Sequence, residues 1–103
     1  MNSILKVGAL ALLVSAQTLL AHTALMSCVD NGDGTIMCEG GFSDGSSATG
    51  VKVKVVQAGK TLEEKKFDKN SEATLKKPNG EYKVIFDGGE GHTVEIDGKK
   101  ILN

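Results

Sequence analysis

From Val51 onward the chain alternates apolar and polar residues. Val51, Val53 and Val55 are separated by Lys52 and Lys54, the period of two expected of a strand with one buried and one solvated face. Tyr82, Val84 and Phe86 share a face in the next clear strand. His92, Val94 and Ile96 repeat the pattern against Thr93, Glu95 and Asp97. Weaker alternation predicts strands over 24–29, 35–42, 60–67 and 73–75. Turn-forming stretches separate them, among them 43–50, Ala58-Gly59, 68–71, Pro78-Asn79-Gly80, 87–91 and Asp97-Gly98. Helical patterning is confined to the first residues. About seven short strands with Gly-rich turns predict an all-β fold, a single β-sandwich.

The N-terminus reads differently. Lys6 is the only charge before Asp30, and residues 7–16 (VGALALLVSA) form an unbroken apolar and small-residue run. This is the pattern of a secretory signal peptide, too short for a membrane span of about 20 apolar residues. The expected division is a signal peptide over 1–21 and a domain over 22–103, in the periplasm or secreted. Cleavage after Ala21 leaves His22 as the first residue. A second cut is also on offer, because Leu25-Met26-Ser27-Cys28 resembles a bacterial lipobox and would leave a lipid-anchored Cys28. Met26 fits that box poorly, and Val14-Ser15-Ala16 provides a third site.

Two cysteines in an exported chain point to one disulfide. Between Cys28 and Cys38 lie Asn31-Gly32 and Asp33-Gly34, both hairpin turn dipeptides. A loop centred on Asp33 sets 30 opposite 36, 29 opposite 37 and Cys28 opposite Cys38. Charge excludes one class of partner. The chain has formal net charge −1 and no Arg, its lysines alternate with acids, and it holds three Phe and one Tyr. Nucleic acid is therefore set aside. The domain is expected to be a monomer or a weak oligomer.

The stretch GVKVKVVQAGKTLEEKKFDKNSEATLKKPNGEYKVIFDGG, residues 50–89, resembles the carboxypeptidase-regulatory-like, transthyretin-like modules. The shared pattern is strand, Gly-Lys turn, strand, Asp-x-Asn turn, a short strand near Pro, then Gly-x-Tyr-x-Val. The resemblance implies an immunoglobulin-like or transthyretin-like sandwich and a non-catalytic role. The preceding DNGDGT and EGGFSDGSSATG segments are similar to small exported proteins found beside bacterial nickel and cobalt uptake systems, which implies metal handling and a membrane metal transporter or another exported protein as partner.

The candidate chemistry is sparse. No P-loop, Gly-x-Ser-x-Gly or Cys-x-x-Cys is present, and a nucleophile would have only His22 and His92 as bases. Asp30 to Thr35 resembles a calcium loop only briefly. Gly occupies positions where oxygen donors belong, and a hairpin turn accounts for the composition. The histidines carry the sharper expectation. An N-terminal His22 offers its amine and imidazole to one ion, and His92 offers the second imidazole, a histidine brace suited to copper(II) or nickel(II). Met26 and Met37 are candidate soft donors. The competing expectation is a structural or adhesion-type interaction module without metal, with a lipid-anchored form at Cys28, built on exposed strand edges and a Lys/Glu-rich face from Lys60 to Lys77.

Overall fold

The computed structural model describes residues 22–103; the signal peptide expected over 1–21 lies outside them. Seven strands form two antiparallel sheets: β1 (Ala24–Asp30), β2 (Thr35–Phe42), β3 (Lys52–Gln57), β4 (Lys60–Lys66), β5 (Glu72–Lys76), β6 (Lys83–Asp87) and β7 (Thr93–Asp97). Sheet one has the order β1-β2-β5 and sheet two the order β4-β3-β6-β7. Gly98–Lys100 forms one 3₁₀ turn where the sequence pattern predicts only a bend.

The sheets face each other as a sandwich. Ile36, Cys38, Ala73 and Leu75 from the first sheet meet Val53, Val55, Val84 and Phe86 from the second, all buried. These are the inward positions of the alternating pattern, as a period of two requires. Burying each large apolar side chain is worth about 1.5–3 kcal/mol, so the alternation itself supplies most of the drive to pair the sheets. Gly40 is the tight point of the interface. A Cβ there would lie 2.9 Å from the Phe67 ring and 3.0 Å from that of Phe86, so only Gly lets β2 approach both rings.

The first hairpin adopts the expected register: Asp30 opposite Ile36, Val29 opposite Met37, Cys28 opposite Cys38. The cysteine sulfurs are 2.09 Å apart, a disulfide distance. The Asp30 amide points away from β2 and donates to the Leu102 carbonyl at 3.0 Å. Cys28 and Cys38 therefore occupy a non-hydrogen-bonded pair, the closer of the two antiparallel spacings, and their Cα atoms are 4.1 Å apart. Turn chemistry completes the hairpin. Gly32 and Gly34 take positive φ, and the Asp30 and Asp33 carboxylates accept from the backbone amides of Gly32 and Thr35.

Side chains close one seam of the sandwich. On β4 the inward positions Glu63 and Lys65 are charged, and they bond the unpaired edge of β5: Lys65 Nζ donates to the Thr74 carbonyl at 2.6 Å and Glu63 Oε1 accepts from the Lys76 amide at 2.8 Å. Inward charges on an edge strand discourage pairing with another chain. The stretch from Lys60 to Lys77 thus spans β4, a turn and β5 rather than a single face. At the other seam β1 and β7 come together.

Reducing the disulfide should lower stability by about 2–3 kcal/mol, the chain-entropy value for so short a loop, read as a shift in urea midpoint with and without reductant. Gly40→Ala should cost about 1–3 kcal/mol through overpacking against Phe67 and Phe86, read the same way; an unchanged midpoint would refute the tight approach.

Candidate functional site

Two chain segments that lie just outside strands converge at one end of the β1–β7 seam. His22 precedes β1 by two residues and His92 immediately precedes β7. Their ring centroids are 5.2 Å apart at an interplanar angle of 71°. His22 also lies flat on Phe42, with centroids 4.3 Å apart and planes within 9°.

The hairpin register brings His22 here. Ala24 pairs with Phe42, and the ladder continues outward, with the Thr23 amide donating to Ser43 Oγ and the Ser43 amide to the Thr23 carbonyl, both at 2.8 Å. One further step sets His22 opposite Asp44. Asp44 Oδ1 accepts from the Ser46 amide at 3.0 Å and the Ser46 hydroxyl at 2.6 Å, a side-chain-capped turn completed by Gly45 at φ 86°. This leaves Oδ2 to meet His22 Nδ1 at 3.0 Å. The Ser46 hydroxyl, then His22, hold the Asp44 carboxyl well below the usual carboxylate range.

His92 is placed by a tight turn. The Gly88 amide donates to the His92 carbonyl and the His92 amide to the Gly89 carbonyl, each at 2.9 Å. A Cβ on Gly88 would lie 2.9 Å from that His92 oxygen and 3.1 Å from the Phe86 ring, so Gly is required for the turn to close onto the core. His92 Nδ1 lies 3.2 Å from the Glu90 carbonyl. A carbonyl only accepts, so Nδ1 donates here and Nε2 is the ring nitrogen turned free of this bond, the orientation second-shell bonds impose on metal-binding imidazoles.

The two methionines are placed differently. Met37 follows the buried Ile36 and precedes the buried Cys38, so alternation sends it to the outer face, about 17 Å along the strand from Phe42 by its rise per residue. Met26 is partly buried against the core. Among the described residues no group of three or more His, Cys, Asp and Glu side chains is arranged to hold a metal. The side chains provide two imidazoles and a carboxylate on one of them, so a full set needs a donor from the backbone. Asp44 and Phe42 were not among the residues expected from sequence. Asp44 could have been found by extending the hairpin register two pairs beyond Ala24; nothing local marks Phe42 as a partner of His22.

A concavity lies at the opposite end of the second sheet, between Val56, Tyr82, Lys83, Ile85, Glu95 and Gly98. Lys83 and Glu95 pair on its wall at 3.2 Å. The chain matches no protein-family model, no curated protein and no solved structure.

The Asp44 contribution should be present at neutral pH and fade on acidification. Its folded pKa is depressed below the ordinary 3.8, so the stabilisation holds above that value and is lost as pH falls through the lower folded one. In urea melts, wild type should lose stability relative to Asp44→Asn as pH drops below about 4. A constant difference from pH 7 to pH 2 would refute this.

Proposed function

We propose that this is an exported, non-catalytic β-sandwich protein that holds a copper or nickel ion between His22 and His92. The observation that carries the reading is the convergence of the chain's only two histidines, 70 residues apart in sequence, at 5.2 Å between ring centroids. Cleavage after Ala21 supplies the missing donor, because the freed His22 amine and Nδ1 close a chelate on one ion once the ion replaces the Nδ1 hydrogen bond to Asp44. His92 adds an imidazole. The Asp44 carboxylate, 3.0 Å from His22 Nδ1, places negative charge beside the site. Nitrogen donors favour copper(II), then nickel(II), over other first-row divalent ions. The outward position of Met37 favours a site without that thioether donor.

The seven-strand sandwich and the carboxypeptidase-regulatory-like pattern support a binding module rather than an enzyme, and the leader supports a periplasmic or secreted location. A membrane metal transporter or another exported protein is the proposed partner. A second reading, an interaction module without metal, draws on Leu25 and Val29, which are exposed on the outer face of β1.

Titration of copper(II) and nickel(II) into protein beginning at His22 should show one tight equivalent. His92→Ala should weaken it, and one residue added before His22 should abolish chelation. Affinity should fall on acidification, because amine and imidazoles must be unprotonated to bind. Equal binding by all three proteins would sink the metal reading and favour the interaction module.

A further inference from the structure

We infer that Phe42 is a positioning residue whose ring holds the His22 imidazole beside His92; its consequence for metal rests on the function proposed above. His22 lies beyond the end of β1, where terminal residues ordinarily fray. Here its ring is stacked on Phe42 at 4.3 Å and 9°. Phe42 in turn stands edge-on to Phe86, with centroids 5.7 Å apart and planes at 81°. Phe86 is fully buried and meets the buried Phe67 at 5.6 Å. A row of rings therefore runs from the centre of the core out to His22.

Two restraints of different kind act on that imidazole. The Asp44 hydrogen bond at 3.0 Å grips one edge of the ring, but both partners are about two-fifths exposed, and a bond between exposed side chains is weakly held. The stack on Phe42 fixes the ring plane. His92 also lies close to Phe42, with centroids 6.0 Å apart at 78°, so among the described residues Phe42 is the ring in contact with both imidazoles and with the core. Removing it leaves the His22 ring with the exposed Asp44 bond and its edge contact to His92, and free to swing from His92. Preorganised ligands lose less freedom when an ion binds, so the same change weakens the site without removing a donor.

The test uses protein beginning at His22, as wild type, Phe42→Leu and Phe42→Tyr, with thermal melts to establish that each folds; Phe42→Met replaces the leucine variant if that variant melts early. In metal-free protein, nuclear Overhauser contacts between the His22 and His92 ring protons, with upfield ring-current shifts at His22, should be present in wild type. Both should vanish in Phe42→Leu and return in Phe42→Tyr. Copper(II) affinity should drop about ten-fold in Phe42→Leu, within the range for outer-shell supports, with a changed electron paramagnetic resonance spectrum, and recover in Phe42→Tyr. Retained His22–His92 contacts in a folded Phe42→Leu protein would overturn the positioning role. Unchanged copper affinity and spectrum after those contacts are lost would overturn its consequence for the metal. Failure of wild type to bind copper(II) or nickel(II) would defeat the metal reading alone, since the proton contacts still decide what Phe42 does.

Discussion

The register of the first hairpin is the constraint from which the rest of this molecule follows. With Cys28 opposite Cys38, even-numbered positions of β1 and β2 face inward together. A slip of one residue would turn Ile36 and Cys38 to solvent and Met37 into the core. It would also remove Gly40 from the one place where its missing side chain matters, against Phe67 and Phe86. The covalent link and the buried face specify the same pairing, and agreement between local and global preferences is what gives a sequence one structure.

That register also builds half of the candidate site. Following the ladder outward from Ala24 and Phe42, through Thr23 and Ser43, carries His22 to Asp44. The hairpin thus delivers an imidazole, its carboxylate partner and the aromatic platform beneath it. His92 comes from the other sheet, on a turn whose Gly88 packs against Phe86. The two histidines meet across a seam, so an ion held by both would join the sheets where β1 and β7 meet. The opposite seam is closed by protein groups alone, Lys65 and Glu63 acting on the β5 backbone.

Electrostatics follow the same division of labour. Asp44 is held as a carboxylate by Ser46 and His22, and at the far end of the hairpin Asp30 is held as one by Lys77 at 2.7 Å and the Gly32 amide. Asp44 sits in a turn and Asp30 ends β1 beside one; each uses one oxygen to shape the adjoining loop and leaves the other for a distant partner. In each case a residue that shapes a turn doubles as the anchor of a long-range contact.

The sequence by itself determined the strands, their inward faces and the pairing of the cysteines, because alternation and turn dipeptides are local and the signal for each lies within a few residues. Val53, Val84 and Phe86 were legible as core for that reason, and Asp44 was legible in principle, since a hairpin register extends along its own ladder. Which sheet edges adjoin was not legible. His22 and His92 lie before strands of different sheets, and only the packing of one sheet on the other, driven by apolar faces that carry no address for a particular partner, decides that β1 meets β7. The same packing set Phe42 edge-on to Phe86 and His92, in the other sheet. Local pattern says which face of a strand is buried; the tertiary structure alone says what that face is buried against.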